Sequence, residues 1–199
     1  MERFKYGTKE TVATLIGLAL FVFVEWLQTY LAARGVIPAG LYQYVQLRVL
    51  VIAISSVFFG PLCGVFTGLG GDLLINVIFE SSVSYPEVIA LGIYGLFMGL
   101  YFGRMHYNTK RYFTGKDFVD FNAIQIFAGL FCSLFSVPML LHFLEDVEVS
   151  KGIMIGARSA FGNSIVIGTV VPIIMICYNY ATNRGRKHIE QNSGFDTLL

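Results

Sequence analysis

Charged residues are scarce in this chain of 199 residues, since Asp, Glu, Lys and Arg together make up 14% of it, against about 25% in soluble domains. Cysteine is rarer still: all three, Cys63, Cys132 and Cys177, lie in apolar stretches, and no two have CxxC spacing. We interpret them as small buried side chains rather than metal ligands or disulfides. The shortage of polar surface excludes an ordinary soluble globule, a disordered tail and a nucleic-acid binder.

Catalytic motifs are missing as well. The sequence contains no GxxxxGK[ST] phosphate loop, no HExxH and no GxSxG. The residues that usually carry out nucleotide hydrolysis, zinc-dependent hydrolysis and serine-dependent hydrolysis in these motifs are therefore missing. His106, His142 and His188 lie near the ends of apolar segments, where an interfacial position explains them. We therefore predict a protein that is not an enzyme, needs no cofactor or metal and cannot hydrolyse ATP through such a loop.

Apolar sequence, in contrast, is abundant, at 55% of the chain. It falls into six segments, each close to the ~20 residues that an α-helix needs to cross a bilayer. The first is too long for a cleavable signal peptide. We predict an all-α integral membrane protein whose single domain spans residues 1–199, with helices at approximately 11–32, 42–59, 60–79, 86–103, 122–143 and 157–181. Gly60-Pro61 separates the second helix from the third.

Basic residues are unevenly distributed between the loops on the two sides of these spans. Six spans place both termini on one side, and this side carries ten of the 14 Lys and Arg residues. The positive-inside rule then predicts that both termini are cytoplasmic. The opposite side has the other four, which are Arg34, Arg48, Lys151 and Arg158, and its loops also contain acidic residues, among them Glu87.

Glycines recur every four residues in two spans, at Gly60, Gly64 and Gly68 and again at Gly95, Gly99 and Gly103. This spacing places them on one helix face, where small residues let backbones approach closely. We interpret these faces as packing within the chain. In the first span, Ala13 and Gly17 form a shorter small-residue face, for which docking of another membrane subunit is an equal alternative.

Polar residues inside the spans are the functional candidates, because charges are costly in hydrocarbon. Most lie toward the outer ends of the spans, which indicates a polar pocket open to the exterior. The alternative is a set of buried ion pairs, such as Arg48 with Asp72, that only hold helices together. Aromatic residues near the same boundary fit an interfacial belt, with one or two available for stacking on a ligand: Trp26, Tyr30, Tyr42, Tyr44, Tyr85 and Tyr94.

The run from Phe58 to Gly68 resembles the FGPxxGxxxG signature of S components, the substrate-capture subunits of energy-coupling factor (ECF) vitamin transporters. Stretches at Thr11–Leu20, Phe121–Ile126 and Gly162–Gly168 also fit the riboflavin-type or cobalamin-type subgroup. The resemblance covers nearly the whole chain in order. The sequence departs from that subgroup where Gly71, Asp72 and Asn76 stand in place of a Gly-His pair followed by Asp.

The resemblance implies a bacterial cell-membrane protein with six helices that captures a riboflavin-like or cobalamin-like vitamin from outside. It further implies a transmembrane coupling subunit, met through Ala13 and Gly17, and two cytoplasmic ATPases. On this interpretation the vitamin is bound as substrate, and two tyrosines help to close the pocket. We expect the substrate-binding residues to be Glu25, Tyr42, Tyr44, Gln46, Arg48, Asp72, Asn76 and Asn163.

Two other functions remain open from the sequence. One is a self-sufficient secondary transporter, with Glu25 and Asp72 as proton carriers. The other is a membrane sensor or interaction module, which would bind a ligand without transporting it.

Overall fold

The computed structural model describes residues 7–38, 45–79, 84–100 and 114–195, with the backbone alone at Ile155, Arg158, Ser159 and beyond residue 181. Every regular element in these ranges is helical. A π-helical turn, Cys132–Ser136, joins the fifth helix to the sixth. The helices are α1 (Thr8–Ala33), α2 (Arg48–Phe59), α3 (Pro61–Phe79), α4 (Tyr85–Gly99), α5 (Gly115–Phe131), α6 (Val137–Glu145) and α7 (Val149–Phe195).

Within the described ranges, four helical runs are long and apolar enough to cross a membrane: α1, α3, the continuous run Gly115–Glu145, and Ala160–Ala181 within α7. Helices α2 and α4 are apolar but have only 12 and 15 residues. Large apolar side chains such as Leu15, Val77 and Phe161 are exposed on the outer surface, as expected where the solvent is lipid. An all-α integral membrane protein is thereby confirmed, whereas six spans with both termini cytoplasmic stay a prediction.

The break between α2 and α3 falls at the predicted place. Gly60 ends α2 with φ at 103°, a backbone conformation that residues with a Cβ rarely adopt. Pro61 then begins α3, where its missing N–H costs no helical hydrogen bond. The chain therefore reverses within one residue, and α2 and α3 pack against each other.

Three segments differ from their predicted bounds. The second predicted span, 42–59, becomes helical only at Arg48, and residues 45–47 before it are not helical. The fifth predicted span, 122–143, is part of the longer run Gly115–Glu145, and the sixth, 157–181, lies within the 47-residue helix α7. Hydropathy marks the part of a helix that suits hydrocarbon, but helical hydrogen bonding continues into polar sequence at both ends. The π-helical turn precedes Pro138, whose ring crowds the carbonyl four residues earlier and whose nitrogen cannot donate to it.

The buried core takes side chains from α1, α2, α4, α5 and α7, and includes Phe21, Ile52, Met98, Phe121 and Val171. The glycine faces of α3 and α4 pack against each other within the chain, as predicted: a Cβ on Gly68 would lie 2.5 Å from the Leu91 carbonyl oxygen.

The cysteines divide between two environments. Cys63 and Cys132 are buried as predicted, whereas Cys177 is exposed. The prediction for Cys177 is wrong because an apolar stretch of a membrane helix also has a face that points outward, toward lipid.

Candidate functional site

Arg48 connects the first four helices through their carboxylates. Its Nη1 lies 2.7 Å from Asp72 Oδ1 on α3, its Nε 3.8 Å from Glu25 Oε2 on α1, and its Nη2 3.6 Å from Glu87 Oε2 on α4. The guanidinium and the Asp72 carboxylate are both buried, with Asp72 only 1% exposed. Buried charges of this kind persist only when they are paired, so that Arg48 fixes the relative positions of these four helices.

Asn76 supports the Asp72 side of this cluster. Its Nδ2 donates to the Asp72 backbone oxygen at 2.8 Å and to Asp72 Oδ2 at 3.4 Å. The two residues are one helical turn apart on the same face of α3, as their spacing predicts. Both Asp72 carboxylate oxygens therefore have donors, one from Arg48 and one from Asn76.

The segment just before α2 is held by side chains from two other helices. Gln28 of α1 donates through Nε2 to the Val45 carbonyl and accepts at Oε1 from the Leu47 backbone nitrogen at 3.0 Å. Asn163 of α7 accepts at Oδ1 from the Gln46 backbone nitrogen at 2.8 Å. Backbone N–H groups at a helix start lack intrahelical partners. These contacts give partners to the N–H groups of Gln46 and Leu47, just before α2, and set where Gln46 and Arg48 lie.

A cavity of about 370 Å³ lies beside Arg48, within the range of about 300–1,000 Å³ that is typical of small-molecule sites. Four helices contribute one face each. On α4 the lining residues are Glu87, Ala90, Leu91 and Tyr94, and on α5 and the π-helical turn they are Gln125, Gly129, Cys132 and Ser133. Spacings of three and four residues place each set on a single helix face.

Helix α7 closes the cavity with small and polar side chains. Gly156, Ala160, Asn163, Ser164 and Ile167 line it, together with Gln46, Arg48 and Val49 of the α2 region and Val137 of α6. Gln125 donates through Nε2 to the Ser164 carbonyl at 3.1 Å, which links α5 to α7. The result is an apolar chamber with several polar groups, an arrangement typical of sites for small organic molecules.

The predicted site residues divide into two groups. Gln46, Arg48 and Asn163 line the cavity, whereas Glu25, Asp72 and Asn76 lie outside its wall. Glu25 and Asp72 contact Arg48, so they hold a lining residue in position. The predicted Arg48–Asp72 ion pair is present, and Arg48 belongs both to this scaffold and to the cavity. Tyr42 and Tyr44 lie outside the described residues.

Most lining residues were not among the predicted site residues, and three of them, Glu87, Tyr94 and Gln125, carry large polar side chains. Tyr94 was assigned to an interfacial belt, but it lies nine residues after the start of α4 and is 4% exposed. Gln125 was placed at the cytoplasmic start of a span, whereas α5 begins at Gly115, about 15 Å earlier at 1.5 Å per residue. Glu87 was counted as a loop acid. A shared helical face with Leu91 is the signal that could have identified Glu87 and Tyr94.

The small-residue face of α1 packs inside the protein. Ala13 and Gly17 are buried, and a Cβ on Gly17 would lie 2.8 Å from Thr67 Oγ1 of α3 and 3.0 Å from Ser55 Oγ of α2. The face predicted to dock a coupling subunit is therefore occupied by the chain's own α2 and α3 in this structure. A docking role for Ala13 and Gly17 stays a prediction that requires this packing to open.

Comparison with known proteins yields one family. The family described as "ECF-type riboflavin transporter, S component" matches residues 5–181. A UPF0397 protein of Streptococcus agalactiae serotype Ia is 30% identical over 171 residues, which cover 85% of this chain and 90% of that protein. A UPF0397 protein of Staphylococcus aureus strain Newman is 29% identical over 179 residues, or 89% and 93% of the two chains. No solved structure matches significantly.

Proposed function

The chain belongs to the family of ECF-type riboflavin transporter S components, and from that premise we propose that it captures riboflavin, or a closely similar flavin, from outside the cell. The family is one of transporter subunits in the membrane, not of enzymes. The observation that carries the choice of ligand is the chamber beside Arg48, whose volume of about 370 Å³ suits a flavin. A corrinoid is several times larger, and this favours a riboflavin-like over a cobalamin-like vitamin.

The polar groups of the chamber fit an uncharged ligand with several hydrogen-bonding atoms. Gln46, Asn163 and Gln125 bring amide groups to the wall, and Ser164 and Tyr94 bring hydroxyls. The ring system of a flavin carries carbonyl and nitrogen acceptors together with an N–H donor, and its ribityl chain carries hydroxyls. A ligand lacking these atoms would leave buried polar groups unpaired, and this penalty is a strong source of selectivity.

The charges at the site favour a neutral flavin over a phosphorylated one. Arg48 is the only cation among the described residues that line the cavity, and it contacts three carboxylates, those of Glu25, Asp72 and Glu87. Its positive charge is thus already balanced within the protein. A ligand phosphate would meet an excess of negative charge.

Transport, on this proposal, needs three further subunits, namely a membrane coupling subunit and two cytoplasmic ATPases. The sequence lacks a phosphate loop for ATP, and the ECF family supports a division of labour in which this chain binds the vitamin. A proton-coupled transporter is less well supported. Its proposed carriers, Glu25 and Asp72, both contact buried Arg48, so protonating either one would disrupt an ion pair.

Binding of riboflavin by the purified chain tests the proposal directly. Riboflavin fluorescence is titrated against the protein in detergent, with cobalamin measured in parallel by equilibrium dialysis. We expect riboflavin to bind with a Kd below about 1 µM, equivalent to roughly 8 kcal/mol, and cobalamin to bind at least tenfold more weakly. Absence of riboflavin binding, or preference for cobalamin, would overturn the choice of vitamin.

Reconstitution in liposomes tests the transport role. We expect uptake of riboflavin only when the coupling subunit, both ATPases and internal ATP are present. Uptake by the chain alone under a pH gradient would establish the secondary transporter instead. Binding without uptake in either system would favour the sensor or interaction module.

A further inference from the structure

Tyr94 has a buried hydroxyl group with no hydrogen-bond partner among the described residues. Its side chain is 4% exposed, and it lines the cavity from α4 together with Glu87, Ala90 and Leu91. An unpaired buried hydroxyl has lost its hydrogen bonds to water without gaining others, which destabilises the folded protein. Native proteins rarely keep such a group unless it has a function or pairs with a molecule that is not part of the chain.

The surroundings of Tyr94 explain why the protein itself leaves the hydroxyl unpaired. Two amide groups at the wall each use one atom within the protein: Gln125 donates through Nε2 to the Ser164 carbonyl, and Asn163 accepts at Oδ1 from the Gln46 backbone nitrogen. Arg48 is directed to carboxylates on three helices. Tyr94 thus brings to a cavity-lining position a buried hydroxyl for which the described residues offer no partner.

We infer that Tyr94 is a specificity-determining residue whose hydroxyl hydrogen-bonds the captured vitamin. This inference rests on the proposed function and adds a residue to it. The hydroxyl can donate to a carbonyl or ring nitrogen of a flavin, or accept from an N–H or ribityl hydroxyl. A bond to a matching ligand atom would give a partner to a hydroxyl that has none among the described residues.

The Tyr94→Phe variant removes this hydroxyl and keeps the ring. Tyr178→Phe is the matched control, since Tyr178 is exposed on α7 and contacts Phe58 edge-on with ring centroids 5.1 Å apart, away from the cavity. Riboflavin titration of the detergent-solubilised full chain is expected to give a Kd raised roughly tenfold or more for Tyr94→Phe and an unchanged Kd for Tyr178→Phe. Equal affinity of wild type and Tyr94→Phe would overturn the inference.

Thermal unfolding of the ligand-free proteins separates this role from a structural one. If the hydroxyl is unpaired in the protein, ligand-free Tyr94→Phe should melt at the same temperature as wild type or at a higher one. A lower melting temperature would show that the hydroxyl bonds to the protein, and the inference would fail even if riboflavin binding also weakened. If wild type binds no riboflavin, the proposed function fails, while this measurement still decides whether the hydroxyl is unpaired.

Discussion

The backbones of Gly64 on α3 and Gly95 on α4 are in direct contact. A Cβ added to Gly64 would lie 2.9 Å from the carbonyl oxygen of Gly95, and a Cβ added to Gly95 would overlap the Gly64 carbonyl. Such close approach is possible only because neither residue has a side chain. It brings α4, and with it the cavity residues Glu87 and Tyr94, to a fixed distance from α3 and its Asp72.

Replacing Gly95 with Ala should therefore destabilise the fold. The new methyl group would meet backbone atoms, which cannot rotate away, and overpacking of this kind typically costs about 1–3 kcal/mol. The free energy of unfolding in detergent micelles measures the effect. Gly115→Ala is the control, since a Cβ there meets nothing within 4 Å. Equal stability of the two variants would contradict the close packing of α3 and α4.

Arg48 and the carboxylates around it should contribute unequally to stability, so that loss of Arg48 costs more than loss of one carboxylate. Arg48→Met leaves the Glu25, Asp72 and Glu87 carboxylates without their shared cation, and removal of one partner of a buried pair costs about 3–5 kcal/mol. Asp72→Asn leaves Arg48 with two carboxylates, at 3.8 and 3.6 Å, and should cost less. Unfolding free energies of the two variants test this order.

The control for the Arg48 measurements is Lys9→Met, which removes an exposed cation from the first turn of α1. We expect it to change stability by less than about 0.5 kcal/mol. An Arg48→Met variant as stable as Lys9→Met would mean that the cluster does not hold the first four helices together.

Local signals in the sequence were sufficient for much of the fold. The apolar segments predicted the helices, Gly60-Pro61 predicted the break between α2 and α3, and four-residue glycine spacing predicted the α3–α4 contact. These features are local because each follows from the chemistry of neighbouring residues. The helix ends were less predictable, since α7 continues to Phe195 through polar sequence that hydropathy assigns to solvent.

The site was only partly predictable, because depth and rotation of a helix are not local properties. Asp72 and Asn76 were correctly placed on one face, and the Arg48–Asp72 pair was anticipated as one alternative. Gln125 was placed too near the start of its helix because the start of α5 was predicted seven residues late. Tyr94 was assigned to an interfacial belt because a tyrosine near a span end usually lies there, and only the packed structure shows that it faces the cavity.

Asn163 joins α7 to the segment before α2. Loss of this contact is predicted to lower both the stability of the protein and its affinity for riboflavin. Asn163→Ala removes the acceptor for the Gln46 backbone nitrogen, which should cost about 0.5–1.5 kcal/mol of stability. Because the same bond positions Gln46 and Arg48 at the cavity, the riboflavin Kd should rise as well. Ile173→Ala, a truncation of an exposed side chain on the same helix, should leave the Kd unchanged. A higher Kd in both variants would point to a general effect on α7 instead.

The balance of charge around Arg48 predicts discrimination between riboflavin and its 5′-phosphate. The phosphate would approach a cluster in which one cation already serves three carboxylates, so we expect it to bind at least roughly tenfold more weakly. Glu87→Gln removes one carboxylate from the cavity wall and should reduce the difference in affinity between the two flavins. Glu145→Gln removes a carboxylate at the exposed end of α6 and should leave that difference unchanged. Titration of both flavins against the three proteins measures the ratio of Kd values. Tighter binding of the phosphate by wild type would mean that Arg48 retains positive charge for the ligand, contrary to its pairing in the structure.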